Sequence, residues 1–254
     1  MSALDWQACA ALVEKGDPDR FMAVMSCALP ARARLFPLFA FNLEVARAPW
    51  LTQEPMIAEM RLQWWRDALG EIAQGGLVRR HEVVTPLAGV LLAEQVGLLD
   101  GLIEARRQDI SREGFEDQAA FERYIDATSG NLLYAATLWF GASQETAVRD
   151  IGFGAGVAQY LCAVPELEAR GRMPLMDGRP EAVRELAEAA LARFRRGRGA
   201  LKPGLSEPLR STWQAETLLK QVVADPGRVA RGSLGLSDAG KRARLIWRAL
   251  TRRV

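Results

Sequence analysis

Residues 36–50 (FPLFAFNLEVARAPW) read as a helix that is apolar on nearly every face. Leu35, Leu38, Phe39, Val45 and Ala46 follow helical spacing, and Phe36, Phe41 and Leu43 fill other faces. A helix of this kind belongs in the middle of a fold, so the rest of the chain has to surround it. It nevertheless carries Asn42, Glu44 and Arg47, and polar groups at buried depth need partners or a cavity. The segment is therefore either a core helix with a few edge residues or one wall of a pocket. In the second case Asn42, Glu44 and Arg47 are cavity-lining candidates.

The surrounding elements also read as helices. Residues 4–14 are amphipathic and stop at Gly16, and Asp17 with Pro18 forms the N-cap and first-turn proline of the next helix. Pro30 opens the apolar helix and Pro49 closes it. Pro55 starts another, which ends at Gly75-Gly76. Residues 86–96 form a short apolar segment, and Asp100 is read as the cap of a helix leading to Asp109. Asp117 caps a helix through Tyr124, and Thr128-Ser129-Gly130 marks a bend or a close approach before the apolar run 132–140.

Gly152, Gly154 and Gly156 interrupt the helical pattern of 144–164. Each costs about 1 kcal/mol against alanine, which implies close backbone packing or access for a ligand. Their spacing lacks the preceding strand of a nucleotide site. Pro165 and Pro174 bound a connector, 197–206 and 225–237 read as loops, and further helices are expected over 180–196, 207–223 and 238–250. With no strand-like alternation, internal repeat or linker, the expected fold is a single all-α domain over 1–254.

Composition narrows the function classes. With 49% apolar and 25% charged residues in 254, the chain can bury a substantial core and is not expected to be disordered. The net charge is only +2, yet residues 191–254 hold 15 Lys/Arg against 4 Asp/Glu. Such a basic region suits an anionic surface or an acidic partner; a solvated arginine-rich face is the plainer reading. Lys241, Arg242, Arg244, Arg248, Arg252 and Arg253 share the last expected helix with Leu245, Ile246, Trp247 and Leu250. That mixture fits peripheral contact with an anionic membrane, or a docked helix with a basic outer face. No nucleic-acid motif accompanies the charge, so no nucleic acid partner is expected. Cys9, Cys27 and Cys162 without a CxxC pair argue for a reducing compartment and against a thiolate zinc site. The one histidine, His81, is expected to be solvated in a polar connector. The start of the chain, around Asp5, shows no signal pattern, and no apolar run approaches the ~20 residues that span a bilayer. The expected location is cytoplasmic, at most peripheral on the inner face of a membrane.

Four stretches, in order, resemble the squalene/phytoene synthase family of head-to-head prenyl synthases: Phe21 through Phe41 with ALPARARLFPLFAF, EMRLQWWRD at 59–67, YIDATSGNLLYAATLWFG at 124–141, and 152–174 ending in Arg170-Gly171-Arg172-Met173-Pro174. The RLIWRALTRR segment at 244–253 is also typical. The resemblance covers nearly the whole chain. It implies a type I isoprenoid synthase-like helical bundle around a central cavity, with Arg61, Trp65 and Gln159 as further cavity candidates and Arg170 and Arg172 as anion-binding candidates.

The same resemblance exposes a departure. Family enzymes ionise an allylic diphosphate with magnesium held by paired carboxylates. Where the first Asp-rich motif would stand, this chain has Ala46-Arg47-Ala48-Pro49-Trp50; at the second, only Glu166 and Glu168 remain, as weak metal candidates. Spaced by two, they face different sides of a helix. The resemblance therefore points to the non-catalytic branch that assists respiratory complex I assembly, with FAFNLEVAR and EPMIAEMRLQWWRDAL as the phrases nearest to it. No cofactor is expected on this reading. Mg²⁺ belongs only to the alternative, a prenyl transferase using Glu44, Glu166 and Glu168. A third reading is an isoprenoid or lipid carrier. Arg61 is also placed to lie over a tryptophan of the Trp64-Trp65 pair.

Overall fold

In the computed structural model, which describes residues 6–111, 113–201 and 204–251 (side chains at 248–250 excepted), all secondary structure of the described residues is helical. Asp5, Arg252, Arg253 and the Arg248 and Leu250 side chains thus lie outside the described residues. The order is α1 (Gln7–Gly16), α2 (Pro18–Met25), α3 (Leu29–Arg47), α4 (Pro55–Gln74), α5 (Val84–Ala88), α6 (Ala93–Ala105), α7 (Gln118–Ile125), α8 (Asn131–Leu138) and α9 (Glu145–Ala169). Then come α10 (Pro180–Ala200), α11 (Ser206–Leu209), α12 (Ala215–Ala224), α13 (Gly227–Ala230) and α14 (Asp238–Thr251). The expected caps are in place: Asp17 accepts from the Arg20 N–H at 3.0 Å, and Asp117 from the Ala120 N–H at 2.6 Å. Gly75 ends α4 at φ 67°, a left-handed conformation that favours glycine.

The apolar α3 is buried as its sequence demands. Leu35, Phe36, Leu38, Ala40, Phe41 and Val45 are all at most 1% exposed. Trp6 stacks on Phe36 at 5.4 Å, and Trp65 meets Phe41 edge-on at 5.5 Å. One core forms around α1, α3, α4 and α6; a second forms around α7, α9, α10 and α12. Helix α8 joins them, giving Leu132, Ala135 and Ala136 to the first and Leu133 to the second. The fully buried Gln95 ties α6 to α8: its amide N donates to the Ala135 carbonyl at 2.8 Å, and its oxygen accepts from the Leu92 N–H at 2.7 Å.

Thr128-Ser129-Gly130 belongs to a π-helical turn, Asp126–Gly130, between α7 and α8. The glycines of α9 explain it. A Cβ on Gly152 would stand 2.9 Å from the Gly130 Cα, and one on Gly156 would stand 2.6 Å from the Ser129 Cβ. The wide turn and α9 thus meet backbone to backbone. Gly154 faces α10, where a Cβ would be 2.6 Å from the Phe194 Cβ and 2.9 Å from the Ala190 carbonyl. Overpacking a tight contact costs about 1–3 kcal/mol, more than the ~1 kcal/mol that alanine gains in helix propensity. Gly154→Ala is therefore expected to lower the urea midpoint, whereas Gly70→Ala, with nothing within 4 Å of the added methyl, is expected to raise it. Equal midpoints for the two variants would contradict this packing.

Several expectations are corrected. Asp100 lies within α6 rather than capping it; its carboxylate takes Arg66 of α4 in two bonds of 2.7 and 2.9 Å. Pro165 does not begin a connector, because α9 carries it internally and continues to Ala169. Helix α10 runs past residue 196 to Ala200, into the expected loop 197–206; the expected helix over 207–223 is broken into α11, the 3-10 turn Arg210–Thr212 and α12. His81 is not freely solvated: its ring lies 5.1 Å from Trp64, and its Nδ1 accepts from the Val83 N–H at 3.1 Å. The cation over Trp64 is Arg79, at 4.7 Å, rather than Arg61.

Candidate functional site

The end of α3, the 3-10 turn Ala48–Trp50, the segment after α6, the π-turn and one side of α9 enclose a cavity of about 550 Å³. That is within the range of small-molecule sites. Apolar wall is supplied by Phe115, Ile125, Ala163, Leu167 and Met173, and Gly156 leaves room beside Ser129.

A polar knot interrupts this wall. Arg106 Nη1 donates to Tyr124 Oη at 2.6 Å and to Asp109 Oδ2 at 3.0 Å, and the Tyr124 hydroxyl donates to Asp109 Oδ1 at 2.9 Å. Burial would by itself depress the Arg106 pKa, but the neighbouring Tyr124 and Asp109 outweigh it and hold the guanidinium firmly charged. Burial pushes the Tyr124 phenol well above its ordinary value, so it stays a neutral donor. Tyr160 is likewise raised by burial, and its hydroxyl donates to the Pro174 carbonyl at 2.9 Å.

The rim is made of arginines stacked on an indole. The Arg170 and Arg172 guanidinium carbons lie 5.2 and 4.9 Å from the centre of the Trp50 ring. Arg170 also pairs with Glu166 at 2.6 Å, and Arg172 donates to the Asp109 carbonyl at 2.8 Å, fastening the 170–174 segment to the wall. Arg47 joins the lining and pairs with Glu44 at 3.1 Å.

Among the residues singled out in the sequence, Arg47, Gln159, Glu166, Arg170 and Arg172 line this cavity; Asn42, Glu44, Arg61, Trp65 and Glu168 do not. Asn42 is 8% exposed within α3 and stands outside the cavity lining. Glu44 stands one helical turn before Arg47, holding it from outside the cavity. Arg61 is on the outer face of α4, while Trp65 is packed between Phe41, Trp64 and His81. Glu168 falls on the far side of α9 from Glu166. The Arg-x-x-Trp-Trp-Arg stretch therefore joins helices: Arg66 clamps Asp100 and Glu104 of α6, at 2.7 and 3.0 Å. Sequence reasoning missed Arg106, Asp109, Tyr124, Tyr160 and Trp50. The available signal was an Arg and an Asp three apart directly after the apolar helix α6.

The carboxylates on the cavity are Asp109, Glu113 and Glu166. Two of them are already bound to guanidinium groups, and among the described residues no three His, Cys, Asp or Glu side chains gather where a metal ion could be held. The donor set does not fit a magnesium cluster.

This architecture is found in solved structures. A ligand-bound dehydrosqualene synthase superposes with a TM-score of 0.68 at 13% identity, over 97% of this chain and 95% of that one. The squalene synthase HpnC of Alicyclobacillus acidocaldarius gives 0.70 at 14% identity, over 91% and 95%. Among curated relatives, the Drosophila melanogaster homolog of NADH dehydrogenase (ubiquinone) complex I assembly factor 6 is 28% identical over 176 residues, 65% of this chain and 52% of that protein. The Bos taurus assembly factor 6 is 23% identical over 180 residues, 65% and 51%. The chain thus spans about half the length of the curated relatives it matches. A profile of squalene/phytoene synthases matches residues 13–177, and with more than half of the sequence covered and the fold in agreement, the chain belongs to the squalene/phytoene synthase family.

Proposed function

We propose that this chain, acting as one domain over 1–254, is a non-catalytic member of its family that serves in the assembly of respiratory complex I, working peripherally at the inner face of a membrane. The observation that carries the loss of chemistry is the state of the cavity carboxylates: Asp109 is held by Arg106 and Tyr124, Glu166 is held by Arg170, and Arg47 and Trp50 stand where the first metal motif would be. A diphosphate needs a gathered set of free oxygens around Mg²⁺ to ionise; here two of the three cavity carboxylates are spent on guanidinium groups, and Glu113 by itself does not make a gathered set. The assembly role is supported by the assembly factor 6 relatives. Among the described residues no helix is long and apolar enough to cross a membrane.

Deleting the gene is expected to reduce assembled complex I, seen on native gels, and to leave carotenoid and hopanoid content unchanged. Normal complex I in the deletion strain would overturn the reading. Purified protein given Mg²⁺ and farnesyl or geranylgeranyl diphosphate is expected to release no pyrophosphate; release that disappears with Glu166→Gln would establish the transferase instead. The open cavity favours a second reading in which the protein also carries an isoprenoid or other lipid. Native mass spectrometry of the purified protein without any copurified lipid, and without binding of added quinone or prenyl compounds, would remove it.

A further inference from the structure

The last helix has two faces that do different things. Its inner face is fixed to the protein: Leu245 is 6% exposed against Ala23 and Trp213, Lys241 Nζ meets the Asp19 carboxylate at 2.8 Å, and Arg244 donates to the Thr217 hydroxyl. Residues 242, 246 and 247 fall on the opposite side. There Ile246 is 60% and Trp247 61% exposed, and Arg242 is exposed one turn before Ile246. Two large apolar side chains standing in water next to a cation need an explanation that a solvated basic face does not give. Charge on this helix has one dominant sign: Lys241, Arg242, Arg244 and Arg248 against Asp238 alone.

We propose that the outer face of α14 docks on an anionic lipid bilayer, with Trp247 and Ile246 entering the interfacial layer and Arg242 meeting headgroup phosphates. This deepens the peripheral location proposed above, and rests on it. Tryptophan is at home at the level of lipid headgroups, where its ring is partly desolvated and its N–H stays wet. A helix that combines such a ring with an aliphatic neighbour and flanking cations lies in the plane of the interface. The inner-face bonds matter equally, because they hold α14 on the body of the protein and leave only the outer face to offer. A polyanion such as RNA would use the cations but would leave Ile246 exposed.

The test is cosedimentation of the purified full chain with vesicles of phosphatidylcholine alone and of an equal mixture of phosphatidylcholine and phosphatidylglycerol. Binding to the anionic vesicles is expected to be about tenfold or more tighter than to the neutral ones, and to weaken severalfold as salt rises. The Ile246→Ala/Trp247→Ala double variant is expected to lose about tenfold, and Arg242→Glu about fivefold or more. Their thermal melts should match the wild type, since all three side chains are exposed. On anionic vesicles, the difference in emission between wild type and Trp247→Ala should move to the blue. Absence of vesicle binding, equal binding to both compositions, or full binding by the variants would overturn the proposal. Vesicle binding is read on purified protein and complex I content in cells, so either can fail while the other stands.

Discussion

Replacing Trp213 by alanine is expected to destabilise the protein by about 3–5 kcal/mol, the usual range for emptying a core tryptophan site. Trp213 is 1% exposed and forms a small core of its own with Ala23 of α2 and Leu245 of α14, flanked by Met22 and Leu236. Its indole N–H lies 3.4 Å from the Asp19 carbonyl, and the Asp19 carboxylate receives Lys241. Three segments distant in sequence meet on this one ring. Removing it opens a cavity that none of the three can fill, because the bonds of Asp19 hold α2 and α14 in place around it. Helix α14 has little else beneath it, so limited proteolysis of the variant should cut around residues 236–251 before the rest of the chain. Trp213→Phe keeps much of the apolar volume and is expected to be clearly milder. A denaturant midpoint for Trp213→Ala equal to the wild type would show that α14 does not depend on this contact.

What could be read from the sequence follows from how local each feature is. The buried course of α3 was legible because its apolar residues occupy every helical face, and the caps at Asp17 and Asp117 because a cap is decided within four residues. The crowding around Gly152 and Gly154 was legible as a demand for close approach. The partner was not, since Gly130 and Phe194 come from α7–α8 and from α10. Asp100 was misread for the same reason. An acidic residue before an apolar run resembles a cap, and only the fold shows Arg66 of α4 waiting beside it. Proline misled at Pro165, where the helix is well supported; Pro37 was already read as lying inside the apolar helix. Pro37 in α3 and Pro165 in α9 each forgo one backbone bond, yet both helices continue, packed on neighbours along their length. In the site, a one-dimensional pattern could nominate Arg47, Arg170 and Arg172, but it could not show that the latter two both pack against the ring of Trp50. Arg106 and Asp109, three apart, offered a local signal, but their union with Tyr124 did not, because it joins residues 15–18 positions apart across a turn.

That knot carries the second large expected effect. Asp109→Ala should destabilise the fold by roughly 3–5 kcal/mol, because it strips a largely enclosed guanidinium of its counter-charge. The side chains of Arg106 and Asp109 are 19% and 14% exposed, mostly toward the cavity, so little water can replace the lost carboxylate. Tyr124 loses its acceptor in the same step, and its raised pKa keeps it from taking over the charge of Asp109. Tyr124→Phe removes one hydroxyl and should lose only about 1 kcal/mol. Asp109→Asn retains an acceptor without the charge and should fall between the two. The decisive measurement is a double-mutant cycle by chemical denaturation. If the loss in Asp109→Ala comes from an abandoned Arg106, then Arg106→Met should recover part of it, and the double variant should be more stable than the sum of the singles predicts. Strict additivity would mean that the two side chains stabilise the cavity independently. The knot would then be three neighbouring groups rather than one unit, and the argument that Asp109 is committed to Arg106 would lose its energetic basis.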